Sequence, residues 1–281
     1  MRKKADDSSH LNRWLTALAA LPILIAVIAF GPAWLVLVLV LAATATGLLE
    51  LGHLLLPQTQ SWIRVVTLGI GLALPLAAYL RGTMGLAAAT IAVLFVNLSL
   101  FLLIYNKEKE ILSLLGGSVF AQLYIAFALS HLLLLFQLPA GRRWIFFVLA
   151  VIFSGDTGAY YVGRQWGRHR LAPTLSPKKT VEGAAGGLIC SLALALVGGK
   201  FLLSARINVG SMLTLALALA IVGQVGDLIE SMLKRVSRVK DAGYLLPGHG
   251  GILDRLDSLL FAFPLTYYCA RFLSSAGAGG P

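Results

Sequence analysis

Charge is scarce in this chain. Of its 281 residues only 12% are Asp, Glu, Lys or Arg, while 58% are hydrophobic. Soluble domains carry about a quarter charged residues. A soluble fold of this length has too much surface to cover with so few charges, so lipid must solvate much of it. Cysteine is nearly absent. Cys190 and Cys269 each lie inside an apolar stretch, which excludes a disulfide framework and a cysteine metal site and leaves both as small packing residues. The alternating strand pattern of a membrane barrel is missing. So are the phosphate loops of soluble nucleotide folds, G-x-x-x-x-G-K-[ST] and G-x-G-x-x-G. Acidic residues number twelve against 23 Lys and Arg, for a net charge of +11.

What is present is a succession of apolar runs. A spanning helix needs about 20 largely apolar residues. Nine segments qualify: Trp14 to Phe30, Ala33 to Leu56, Trp62 to Leu80, Met84 to Tyr105, Ile111 to Leu138, Trp144 to Val162, Val181 to Ser204, Val209 to Glu230 and Leu256 to Leu273. Backbone in lipid must satisfy its own hydrogen bonds, so the expected fold is all-α, a polytopic membrane bundle of about nine helices. Pro22 and Pro75 fall inside segments and are expected to kink them. The basic N-terminus ahead of the first run resembles a signal peptide, but only Gly31 and Pro32 separate it from the next run. It is read as a retained first helix. Residues 276–281 are expected to form a disordered tail.

The charges are unevenly placed. With nine spans, 17 of the 23 basic residues fall on the N-terminal side of the membrane and six on the other. The positive-inside rule then puts the N-terminus and the two richest loops in the cytoplasm, although ten of the 17 lie in two loops whose charge can serve an anionic substrate instead. Seven of the twelve acidic residues lie between Asp156 and Asp257. Ionisable groups at membrane depth are costly and mark function. Residues 1–140 are therefore read as a transmembrane scaffold of about five helices, with Glu50, Glu108 and Glu110 at water interfaces. Residues 141–275 are read as the catalytic part with its polar loops.

The densest polar stretch runs from Gly223 to Ser258. Asp227, Glu230, Ser231 and Lys234 are spaced to share one helix face, and Asp254 and Asp257 stand three apart at the start of the last span. Two carboxylates from each of two helices can converge at one depth and hold a hard divalent cation such as Mg2+. The plainer reading pairs these acids with Lys234, Arg235, Lys240 and Arg255 at the water boundary. Between the helices, Pro247-Gly248-His249-Gly250-Gly251 can turn tightly and leave N–H groups facing an anion, or be a plain turn. His249 can donate to a phosphate or move a proton. Upstream, Ser176-Pro177-Lys178-Lys179-Thr180 sets two lysines and two hydroxyls ahead of a helix N-terminus, an anion-binding position. Lipid headgroups are the competing partner for those lysines.

Together these pieces closely resemble the phosphatidate cytidylyltransferases, also called CDP-diglyceride synthetases. That family's signature is matched by Ser231, Lys234-Arg235, Lys240-Asp241, Gly243, Leu246-Pro247, His249-Gly250-Gly251, Asp254-Arg255 and Asp257 without a spacing departure. The SPKKTVEG run and the D-x-x-A-Y element at Asp156 match as well. The resemblance covers about Gly155 to Ser258. It implies transfer of a cytidylyl group from CTP to phosphatidate at a cytoplasmic face of the inner membrane, with magnesium. Asp227, Asp254, Lys240 and His249 are then the catalytic candidates. Asp227, Asp254, Asp156 and Glu230 are the metal candidates. Ser176, Lys178, Lys179, Thr180, Lys234, Arg235, Gly250, Gly251 and Arg255 are the substrate-binding candidates. The expected partners are CTP, phosphatidate and membrane lipid, with no nucleic acid; a homodimer is an arrangement the sequence permits. Two other readings stand beside this one. An enzyme acting on another lipid phosphate or a polyprenol would share the polar chemistry. An anionic-metabolite transporter would need paired interrupted segments in two halves, which the sequence does not show.

Overall fold

The computed structural model describes residues 22–56, 61–107, 110–203, 207–239, 243 and 251–278. It is helical nearly throughout, as the apolar runs require. The helices are α1 (22–30), α2 (Ala33–Leu55), α3 (Ser61–Ile70), α4 (Ala73–Leu103), α5 (Ile111–Ala121), α6 (Ala128–Gln137), α7 (Gly141–Trp166), α8 (Val181–Leu203), α9 (Val209–Val236) and α10 (Leu253–Ala278). A π-helical turn, Gln122–Phe127, joins α5 to α6. The one sheet among the described residues is an antiparallel hairpin, β1 (Arg170–Ala172) with β2 (Ser176–Thr180). It falls on the Ser176–Thr180 run, which the sequence presents as a loop.

Among the described residues, six helical stretches are long and apolar enough to cross a membrane, so the expected nine are not confirmed. Three segments account for the difference. Residues 14–21 of the first segment lie outside the described residues. The third and fourth segments, which follow α2, form one apolar stretch, Ser61–Leu103, of 43 residues. As one straight helix it would run about 65 Å, twice a bilayer core. Instead it turns at Gly71 and Leu72 and breaks at Gly82, whose φ of 61° and ψ of −147° suit only glycine. The last segment, in α10, begins among Asp254, Arg255 and Asp257. Pro75 does not kink α4. It sits in the first turn, where its missing N–H has no helical partner to lose. Pro22 is the first described residue of α1. Helix α10 continues to Ala278, so residues 276–278 are helical; 279–281 lie outside the described residues.

The chain divides into two compact units. One comprises the residues up to Leu133 and Ser237–Arg255; the other comprises Leu134–Val236 and everything from Leu256. In the first unit α2 buries Val36, Val40, Thr44, Gly47, Leu48 and Leu51, a stripe at helical spacing. A buried amide network ties α4 to the π-turn: Asn97 donates to Gln122 Oε1 at 2.9 Å, and the Gln122 amide donates to the Thr67 carbonyl of α3. Such interhelical hydrogen bonds hold helices where lipid removes the hydrophobic drive to associate.

The second unit is built on close packing of α7 against α8. A Cβ on Gly186 would lie 2.5 Å from the Val162 side chain, and one on Gly158 would lie 2.5 Å from Cys190 Sγ. Small residues at these crossings let the helix backbones approach, the usual means of packing in a membrane. Cys190 is thus a packing residue, as the sequence suggests. Large apolar side chains including Phe95, Leu103, Phe201 and Phe272 remain exposed, the surface that lipid-facing helices present.

Candidate active site

The site in the second unit is assembled by α7, the hairpin, α8 and α9. The hairpin is fastened first. Glu182, in the first turn of α8, accepts the backbone N–H of Arg168 at 3.0 Å and of His169 at 3.2 Å, and the His169 ring contacts it at 2.6 Å. Thr180 is buried, and its hydroxyl accepts the Gly183 N–H at 3.1 Å, capping α8. Arg235, from the end of α9, donates to the Leu175 carbonyl at 3.1 Å and braces the turn between the strands. Arg170 donates to the Pro177 carbonyl across the hairpin. These contacts fix where Lys178 and Lys179 project.

They project into a cavity of about 510 Å³, within the ~300–1,000 Å³ typical of small-molecule sites. Its wall carries Asp156 and Tyr160 from α7, Arg164 from the last turn of α7, Arg170, Lys178 and Lys179 from the hairpin, and Asp227 from α9. Four cations and two carboxylates therefore face one space. Lys179 forms an ion pair with Asp227. Lys178 is exposed and, among the described residues, forms no ion pair. Gln224 donates to the Ala184 carbonyl at 3.0 Å and joins α9 to α8 beneath the cavity.

An acidic cluster adjoins it. One oxygen each of Asp227, Glu230 and Asp257 lies within 4.8 Å of the others. Gly226 makes this possible. A Cβ there would lie 2.5 Å from the Asp257 carbonyl oxygen, so only glycine lets α10 come this close to α9. Glu230 is 2% exposed and is bound by Lys234 one turn on at 2.8 Å. Three carboxylates converging at this range suit a hard divalent cation, which takes oxygen ligands. The donor set fits a metal ion by its chemistry, and Lys179 and Lys234, paired with Asp227 and Glu230, offset part of the carboxylates' negative charge.

The structure thus brings together Asp156, Lys178, Lys179, Thr180 and Asp227 at the cavity, and Asp227, Glu230 and Lys234 at the cluster. Ser176 is half-buried in β2 and does not line the cavity. Asp254, Gly251 and Arg255 belong to the first unit. There Asp254 accepts the Gly251 N–H at 2.9 Å, so that amide is engaged by a carboxylate where the glycine run suggests an N–H left for an anion. Lys240, His249 and Gly250, with Asp241, lie outside the described residues. Tyr160 is the tyrosine of the D-x-x-A-Y element at Asp156, whereas two other cavity residues, Arg164 and Arg170, were not marked by any sequence motif. Their nearness depends on a hairpin no apolar pattern announces. Glu50, expected at a water interface, is buried at 6% exposure; Glu110 is exposed, and Glu108 lies outside the described residues.

Comparison with known proteins accords with this chemistry. The model of the Cytidylyltransferase family matches residues 11–273. A Bacillus subtilis protein named phosphatidate cytidylyltransferase is 40% identical over 193 residues, 68% of this chain and 71% of that protein. Proteins of the same name from Staphylococcus haemolyticus and Staphylococcus aureus are 49% and 47% identical over 125 residues, 44% of this chain and 48% of each. The chain spans about half the length of these staphylococcal relatives in the matched region. By the extent of the family match, the chain belongs to the cytidylyltransferase family.

Proposed function

We propose that this membrane protein transfers a cytidylyl group from CTP to phosphatidate, releasing pyrophosphate and forming CDP-diacylglycerol for phospholipid synthesis. The observation that carries the reading is the cation-lined cavity beside a three-carboxylate cluster, in a chain of this family whose relatives bear that activity in their name.

A phosphate oxygen of phosphatidate attacks the α-phosphorus of CTP in line. The new P–O bond forms as the bond to the β-phosphate bridge breaks, and the electron pair leaves on pyrophosphate. The nucleophile is already an anion, so no strong base is required. The difficulty is bringing two polyanions together and accommodating charge on the leaving group. Lys178 and Lys179 answer it as point charges at the cavity wall, with Arg164 and Arg170 beside them. Arg235 holds the hairpin that carries the lysines, and Lys234 keeps Glu230 oriented within the cluster. Asp227, Glu230 and Asp257 would hold magnesium; Asp156 and Asp254 are the further carboxylates put forward by the sequence. The chemistry magnesium supplies when bound is neutralisation of phosphate charge. Lys240, His249, Gly250, Gly251 and Arg255 complete the proposed catalytic and phosphate-binding set, with Ser176 and Thr180 at the hairpin. Residues 141–275 carry the chemistry and 1–140 the scaffold. The N-terminus and the loops holding Lys178 and Lys240 face the cytoplasm, and the protein resides in the inner membrane.

The test is turnover by purified protein in detergent with magnesium, labelled CTP and a panel of lipid phosphates. Labelled CDP-diacylglycerol from phosphatidate is expected. Product only with a polyprenyl acceptor, or no nucleotide transfer to any lipid phosphate, would refute the reading.

A further inference from the structure

Glu50 lies outside the signature and far from it in sequence. It sits in α2, a candidate membrane span, and is 6% exposed. A carboxylate there is costly unless its partners are built in. They are: Glu50 Oε1 accepts the Ile252 N–H at 3.0 Å, and Oε2 accepts the Leu253 N–H at 2.9 Å, across more than 200 residues of chain. These donors stand at the start of α10, where N–H groups have no carbonyl in their own helix. Two glycines press on the same carboxylate. A Cβ at Gly251 would lie 2.5 Å from Oε2, and one at Gly243 would lie 2.6 Å from Cδ. The neighbouring amide, Gly251 N–H, is taken by Asp254, and the Arg255 N–H donates to the Ile252 carbonyl at 3.0 Å. Ser237, at the other end of the same segment, donates to the Leu54 carbonyl of α2 at 3.2 Å.

A helix start needs no such arrangement. A Ser, Thr, Asp or Asn at the cap position would satisfy the free N–H groups locally. A remote buried carboxylate does more, because it ties the segment to one place on another helix. We propose that Glu50 is a positioning residue: by binding the Ile252 and Leu253 amides and seating Gly243 and Gly251, it holds Asp254 and Arg255 in their working positions. The inference rests on the cytidylyltransferase reading above.

The experiment compares wild type with Glu50→Gln, Glu50→Asp, Gly243→Ala and the Glu50→Gln/Gly243→Ala double variant. It measures kcat and the CTP KM per folded molecule, together with amide exchange over residues 251–255. Gln offers one acceptor oxygen and turns its own NH2 toward the second donor. Glu50→Gln should therefore lose at least ~30-fold in kcat with the CTP KM within ~3-fold, the mark of an interaction that matters in the transition state. The Ile252 and Leu253 amides should exchange faster. Glu50→Asp, which keeps two acceptors, should recover part of the rate. Gly243→Ala should reproduce the kcat loss, and the double variant should lose less than the two combined. Should Glu50→Gln fail to fold, Gly243→Ala carries the test alone. Wild-type kcat per folded molecule in Glu50→Gln, or in Gly243→Ala if that variant stands alone, would overturn the positioning role. An inactive wild type would instead refute the reading on which it rests.

Discussion

Replacing Lys179 separates a structural ion pair from a working cation. Its ammonium pairs with Asp227, yet both side chains keep contact with water, at 26% and 36% exposure. A pair that open contributes little to stability, about 0–1 kcal/mol, because solvent screens it. Lys179→Ala should therefore lower the melting temperature by a few degrees at most. Catalysis responds on another scale. If the ammonium faces phosphate charge that grows as pyrophosphate leaves, losing it should raise the barrier by about 3 kcal/mol, on the order of 100-fold in kcat/KM. Lys179→Arg keeps the charge on a longer planar group and should retain part of the activity. The assay is steady-state CTP kinetics in detergent alongside thermal unfolding, with and without added anionic lipid. Lys178→Ala, lacking the ion pair, should show the kinetic loss with no stability change. Unchanged CTP kinetics in both alanine variants would refute the reasoning and return these lysines to headgroup contacts.

Other consequences are equally open to test. Asp227→Asn and Asp257→Asn should each cut turnover on the order of 100-fold or more while the protein stays folded, since a divalent site needs the charge; near-normal activity at saturating magnesium would remove them from it. Gly186→Leu should destabilise the second unit by about 1–3 kcal/mol through overpacking against Val162, read as a lower melting temperature; an unchanged one would show that α7 and α8 can separate freely. A single cysteine at position 240, after removal of Cys190 and Cys269, should resist labelling by impermeant reagent in intact cells; labelling from outside would reverse the proposed topology.

The helical class was legible because lipid imposes one rule along the whole chain: long apolar runs must satisfy their own backbone. The shared face of Asp227, Glu230 and Lys234 was equally legible, since helical spacing alone decides it and Lys234 does meet Glu230. Span count was harder. Ser61–Leu103 is apolar throughout, and its break depends on the backbone of Gly82, which hydropathy does not register. The hairpin was hidden for a different reason. Three and five residues of strand leave no periodicity to read, and its anchors, Glu182 and Arg235, act mainly through backbone groups. Glu50 carried a usable signal, a lone carboxylate in an apolar helix, but its partners are backbone amides of residues that sequence does not mark.

The most direct measurement follows the phosphorus atoms. Purified protein is given phosphatidate with CTP labelled at either the α- or the γ-phosphate, and lipid and aqueous products are separated. α-Label is expected in the lipid and γ-label in pyrophosphate, in equal amounts, because the α–β bridge is the bond that breaks. Label from the γ-phosphate in the lipid, or no α-label there at all, would contradict it.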